Sequence, residues 1–271
     1  MQVMFLELVG RSVIRHAEDA GALTLQLWRS LWKLPRILPV VGKRRRWQSS
    51  LNQMLAIGAS ALPVAGIMSL CIGFVLALQT AAELRRLGAL HFVVDLVAIT
   101  FTRELGALIT AIAVSGRSAS AISAEVGTMV VTEEMDALRV MGLDAVEFTL
   151  APKYLGALIT VPCLTALSTL CGIFAGYLFM AFSADMGLRL YFQRVVETIL
   201  LRDIWLTLIK SLAFATIIVQ VGYREGLRVR GGPEAVGRAT TSAVVKSIFL
   251  VIVADLIASS IFYLMGWSSA G

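Results

Sequence analysis

The sequence predicts an all-α integral membrane protein, with N-terminal interfacial helices and five transmembrane helices, and three observations carry that prediction. Hydrophobic residues make up 58% of the chain and charged residues only 15%, against about 25% charged in an average soluble domain. Residues 47–82 contain no Asp, Glu, Lys, Arg or His, and neither do residues 154–184. Each stretch exceeds the ~20 apolar residues that one helix needs to cross a bilayer core.

Taken in order, residues 1–46 alternate charged and apolar positions and hold no charge-free stretch long enough to span. They read as helices lying in the cytoplasmic interface, with Trp28 and Trp32 at headgroup depth. Glu7, Arg11, Arg15, Glu18 and Asp19 leave no clean apolar segment for a cleavable signal peptide. Pro35 and Pro39 break the helix, and the basic run 43–46 anchors the first span. The remaining residues, 47–271, form one five-span domain. Its spans are expected at 50–80, 92–120, 152–182, 204–224 and 243–267. Between the third and fourth, residues 185–203 place Leu188, Phe192, Val195, Val196 and Ile199 at helical spacing, which predicts an outer interfacial helix.

Charge fixes the orientation. Of the 24 Lys and Arg residues, sixteen fall in segments read as inside and five outside, with Arg103, Arg117 and Lys210 inside spans. Positive charge stays on the cytoplasmic side, so the N-terminus is expected inside and the C-terminus outside the membrane. The same reading accounts for the net charge of +6 without nucleic acid, because the basic residues flank apolar segments. Five spans cannot divide into two equal halves of whole helices. A pathway forms more simply between two copies, and a symmetric homodimer is the default.

Catalytic signals are lacking. No Gly-x-x-x-x-Gly-Lys-Ser/Thr loop occurs, so the chain is not expected to hydrolyse nucleotide by a P-loop. His16 and His91 are far apart, which argues against a histidine metal site. His91 and Asp95 have three residues between them, where an acyltransferase motif has four. Cys71, Cys163 and Cys171 sit in apolar runs without metal-ligand spacing and read as small buried hydrophobes.

The informative charges lie at membrane depth. An unpaired charge in the bilayer core costs about 3 kcal/mol or more, so Arg103 and Glu104 must face protein or water. They either brace neighbouring helices or form a polar point in a cavity. Lys210 either pairs with Glu104 or attracts an anionic phosphate, and Asp255 pairs with a basic group. At the end of the first span Leu76, Thr80, Glu83, Leu84 and Leu87 share one face, which is either a packing surface or an apolar wall for acyl chains. Gly116, Ser120 and Ala124 recur every four residues, as do Ala119, Ser123 and Gly127, a pattern of close helix packing.

Beyond this run lies a short acidic amphipathic stretch. Thr132 is positioned to cap a helix over about 131–142, with Glu133 and Glu134 in its first turn and Gly142 ending it. Val131, Met135, Leu138 and Gly142 fall on one side. Glu133, Glu134 and Asp136 would be repelled by an anionic leaflet, so a protein groove is the better partner.

At these residues the chain resembles the MlaE/YrbE family of ABC-transporter permeases. The resemblance rests on residues 101–129 (FTRELGALITAIAVSGRSASAISAEVGTM), continuing through 132–144 (TEEMDALRVMGLD). Residues 73–79 (GFVLALQ), Pro152 and residues 237–245 (GRATTSAVV) add to it. The resemblance implies an MlaE-type permease fold working as a dimer in the bacterial inner membrane. It implies two copies of a separate P-loop ATPase that uses ATP and Mg, with no cofactor in this chain. It further implies a periplasmic MCE-domain protein, often a hexameric ring, and in some systems a STAS-domain protein. The implied substrate is phospholipid moved between inner and outer membranes to maintain outer-membrane asymmetry; relatives handle sterols or other lipids.

By the same resemblance, Leu76, Gln79, Leu84, Leu87, Arg103, Glu104, Leu105 and Lys210 line or support a lipid cavity. Glu133, Glu134, Met135, Asp136, Leu138 and Arg139 form the coupling helix that enters the ATPase. Where some phospholipid-transporting members carry apolar or aromatic residues, this chain has Glu83 and Arg85-Arg86. The competing readings are a secondary transporter with an ion relay of Glu104, Lys210 and Asp255, and a membrane-embedded lipid enzyme.

Overall fold

The computed structural model describes residues 44–265, with the backbone alone described at 44–50, 146 and 147. The interfacial helices expected over 1–46 therefore lie outside the described residues, except for the helical backbone of 44–46. Seven helical elements follow: α1 (Arg44–Arg86), α2 (Phe92–Val131), α3 (Glu134–Val140), α4 (Ala145–Ala184), α5 (Leu188–Thr198), α6 (Leu201–Leu227) and α7 (Pro233–Leu264). Five of them, α1, α2, α4, α6 and α7, are long and apolar enough to cross a membrane. They outrun the expected spans: α2 continues past 120 to Val131, and α7 starts at Pro233 rather than 243.

The chain order sets two ends of the bundle. The α1–α2 turn, α5 and the C-terminus of α7 share one end; α3 and the α6–α7 turn share the other. α6 is the central helix, packed against α2, α4 and α7. Its approach to α2 depends on small residues. A Cβ on Gly222 would stand 2.8 Å from Ala119 O, and one on Gly226 would stand 2.9 Å from Ser123 O. The Ala119, Ser123 and Gly127 row is thus a packing face, as its spacing predicts. The Gly116, Ser120 and Ala124 row is different: Gly116 has open space around it. α1 lies along α4, where Gly73 meets Gly172 backbone to backbone. Pro63 in α1 and Pro152 and Pro162 in α4 sit inside helices, as the surrounding helices of a membrane bundle permit.

Interhelical hydrogen bonds tie the bundle, each contributing about 0.6 kcal/mol on average. Tyr154 Oη donates to Gln220 Oε1 at 2.6 Å, and Thr110 Oγ1 donates to Ser168 Oγ at 2.9 Å. α5 is docked by Arg194, which holds both carboxylate oxygens of Asp95 at 2.8 Å. The Asp95 carboxylate raises the Arg194 pKa further. The buried Tyr191 donates to Ile173 O at 3.0 Å, and burial pushes its phenol pKa up, so it stays a donor.

The cysteines depart from expectation. Cys71 and Cys163 are exposed and Cys171 half-buried, so they face outward from the chain rather than into its core. An apolar side chain on a membrane helix loses nothing by facing lipid, and burial therefore does not follow from hydrophobicity here.

Candidate functional site

Two π-turns interrupt α2, at Phe101–Leu105 and Ser115–Ala119. The first carries Arg103 and Glu104. A π-turn loosens the ladder of i→i−4 hydrogen bonds, and two of its carbonyls accept side-chain donors from α6. Thr207 Oγ1 donates to Thr102 O, and Lys210 Nζ donates to Arg103 O at 3.2 Å. Asp203, Thr207 and Lys210 lie at i, i+4 and i+7 on α6, one stripe facing this turn.

The two neighbouring charges take different partners on that stripe. Arg103 holds Asp203 in a two-pronged bond, Nε to Oδ1 at 2.9 Å and Nη2 to Oδ2 at 3.4 Å. Asp203 Oδ2 also accepts the Leu200 N–H at 3.3 Å, so the same carboxylate caps α6. Glu104 instead meets Lys210, Oε2 to Nζ at 2.6 Å. Ser259 Oγ, on α7, accepts from Lys210 Nζ at 2.8 Å and donates to Glu104 Oε1 at 2.9 Å. Asp255 Oδ1 lies 3.0 Å from the same nitrogen as an ion pair.

Lys210, with 2% of its side chain exposed, is therefore claimed by two carboxylates, a hydroxyl and a carbonyl. Of the two readings of Lys210, the structure gives the pairing with Glu104. Lys210 is the buried member of these pairs, and removing its partners is costly because its charge is then left uncompensated. Beside the cluster lies a cleft of about 180 Å³. Arg103, Glu104, Lys210 and Ser259 line it together with Leu206, Phe262 and Tyr263.

Leu76, Gln79, Leu84, Leu87 and Leu105 do not line this cleft. Leu76, Leu84 and Leu105 are half-buried against the apolar core that also holds Phe101 and Tyr191, near the α5 end. Gln79 is exposed, and Leu87 is 77% exposed. Arg85 reaches Ser183 Oγ at 3.4 Å, while Arg86 and Glu83 face each other at 3.8 Å on the surface. Asp203 and Ser259 were not legible as site residues. Asp203 sits in the first turn of the fourth span, not at the end of an interfacial helix as its neighbours suggest, because α5 stops at Thr198.

At the other end, α3 spans Glu134–Val140, and its start differs from expectation. Thr132 does not cap it: its Oγ1 is within reach of Thr128 O at 3.0 Å and Glu134 Oε1 at 3.1 Å, both acceptors. Glu133 occupies the cap position in a left-handed conformation, φ 59°. Gly142, at φ 72°, ends the helix, with its N–H on Arg139 O and the Leu143 N–H on Leu138 O. Met135 and Leu138 point into the chain's own core, so they hold α3 down rather than face a partner. The open face consists of Glu133, Glu134, Asp136 and Arg139, with Arg139 paired to Asp136 at 2.9 Å. Val140, 89% exposed, and Met141 and Leu143 form an uncovered apolar tip. Beneath α3, the buried Lys153 ties α4 to α2 through Glu125 at 2.6 Å.

Comparison with known proteins agrees with this architecture. The profile of the family described as Permease MlaE matches residues 50–261. A probable ABC transporter permease protein of Rickettsia bellii is 31% identical over 94% of this chain and 96% of its own length. A probable ABC transporter permease protein of Synechocystis is 30% identical over 83% of this chain and 86% of its own. The chloroplastic protein TRIGALACTOSYLDIACYLGLYCEROL 1 of Arabidopsis thaliana is 31% identical over 84% of this chain and 65% of its own length. With five membrane-spanning helices, a charge cluster shared by α2, α6 and α7, and a family profile running through all five, this chain is a membrane permease subunit and belongs to the MlaE permease family.

Proposed function

We propose that two copies of this chain form the transmembrane part of an ATP-driven transporter that moves phospholipid between the inner and outer membranes of a bacterium, maintaining outer-membrane asymmetry. The cleft carries this reading. Its lining combines charged and polar side chains with Leu206 and Phe262, and so offers groups both for a headgroup and for its chains. Its volume of about 180 Å³ is smaller than the roughly 300–1,000 Å³ of a complete small-molecule site, which favours a chamber completed by a second copy. Arg117 adds support: it is exposed inside a span and has no carboxylate partner among the described residues. A charge there is better placed against protein or water than against lipid tails. The Arabidopsis relative carries the name of a galactosylated diacylglycerol, which favours a glycerolipid over a sterol.

The motor is a pair of P-loop ATPase subunits that bind ATP and Mg and dock on α3. The N-terminus lies in the cytoplasm and the C-terminus in the periplasm, where an MCE-domain protein, often a hexamer, receives or delivers the lipid. A STAS-domain protein accompanies some such assemblies. The test is to purify the assembly through a tag on this chain and identify its lipids by mass spectrometry. It is then reconstituted in liposomes, and transfer of labelled phospholipid is followed with and without ATP. ATP-dependent transfer is expected. Transfer that follows an ion gradient and ignores ATP would overturn the reading in favour of a secondary transporter.

A further inference from the structure

At the α3 end of the bundle, the turn between α6 and α7 borders a second, open cleft of about 280 Å³, lined in part by Glu225, Arg228, Arg230, Arg238 and Ser242. Its acid is already satisfied. Glu225 Oε2 accepts from Lys246 Nζ at 2.8 Å and from Ser242 Oγ at 2.7 Å, and Oε1 faces Arg228 at 3.5 Å. Glu234, exposed in the first turn of α7, is not part of the lining. Arg230 and Arg238 therefore bring two guanidiniums to one cleft with no carboxylate partner among the described residues. Guanidinium pairs suit phosphate, which they bind with directed hydrogen bonds as well as charge.

A second feature says what the phosphate is attached to. Counting along α7 from Arg238, Val245, Phe249, Ile252 and Leu256 follow at steps of seven, four, three and four residues, which keeps them on one helix face. All four are exposed. An inorganic anion would use the guanidiniums and ignore this stripe; an amphiphile uses both. Basic pockets between spans, at headgroup depth, are a known means of holding anionic lipids.

We propose that the α6–α7 cleft binds the phosphate of an anionic phospholipid in the leaflet at the α3 end, with its acyl chain along the Val245–Leu256 stripe of α7. This site is separate from the Lys210 cleft and lies toward the opposite end of the same helix. It depends on the helices spanning a bilayer, and not on which lipid the transporter carries.

The test uses the intact chain in an uncharged detergent, titrated with dioctanoyl phosphatidylglycerol and followed by native mass spectrometry. Expected is a retained lipid whose affinity falls at least tenfold in Arg230→Gln/Arg238→Gln. Arg86→Gln/Arg189→Gln, which removes the same charge at the other end, should change affinity less than twofold. Inorganic phosphate should displace the lipid only at a hundredfold or greater excess. Unchanged affinity in the first variant, or an equal loss in the second, overturns the site. Displacement by equimolar inorganic phosphate overturns the lipid assignment in favour of a free-anion site. Both Arg residues are exposed, and an unshifted thermal transition of the first variant confirms that it is folded.

Discussion

Lys210 and Glu104 meet at 2.6 Å, Nζ to Oε2, and the same nitrogen lies 3.0 Å from Asp255 Oδ1, so that one amine joins α2, α6 and α7. Replacing it leaves two carboxylates facing a shared space with no cation. Lys210→Met should lower stability by up to about 3 kcal/mol, because the largely buried Asp255 loses its cation while Glu104, more than a third exposed, loses less. Glu104→Gln should cost less, because Asp255 and Ser259 still engage Lys210. Thermal unfolding of the purified variants checks the order, and a Glu104→Gln loss as large as that of Lys210→Met would contradict it.

Glu104 also lines the cleft, and this separates bracing from transport. Glu104→Ala should reduce ATP-dependent lipid transfer at least fivefold in protein that still folds and assembles. Normal flux in reconstituted liposomes would reduce the residue to a brace between helices.

Gly226 and Gly237 make a matched comparison. A Cβ on Gly226 would stand 2.7 Å from Val126 Cβ, whereas Gly237 has open space. Gly226→Ala should destabilise by about 1–3 kcal/mol through overpacking. Gly237→Ala should stabilise α7 by up to about 1 kcal/mol through helix propensity. Melting temperatures that shift alike would show that α2 and α6 are not in close contact there.

On α3 the buried and exposed apolar residues should separate folding from assembly. Leu138→Asp places a charge in the chain's own core, and loss of folded protein is expected. Val140→Asp changes the uncovered tip and should leave the fold intact while at least halving ATPase co-purification. Full recovery of the ATPase with the Val140 variant would remove the tip from the coupling surface.

The five spans were legible because each needs only a long apolar run, and residues 47–82 and 154–184 supply two without a single charge. That Arg103, Glu104 and Lys210 must be paired was legible for the complementary reason, that charge in such a setting needs a partner. Lys210 was legible as one candidate partner of Glu104; Asp203 as the partner of Arg103 was not. Arg103 selects Asp203 and Glu104 selects Lys210 because a π-turn sets their directions, and no spacing rule announces a π-turn. The cap of α3 failed on a similar local detail. Thr132 has the right side chain, but the chain turns at Glu133 through a left-handed residue, one position later. Close packing was readable for Ala119, Ser123 and Gly127 but not for Gly116, since the sequence does not say which row of small residues meets a neighbour.

The two π-turns of α2 also bear on how this helix tolerates insertions and deletions. Each holds one residue more than an α-turn, and each residue of an α-helix advances the side chains by about 100°. Deleting one residue within 101–105 or 115–119 can tighten that turn to α while both flanks keep their faces. The same deletion within 106–114 would rotate everything beyond it by about 100° and swing α3 away from its seat. Length variation in α2 thus has two sites where a residue can be lost without turning the end that carries α3.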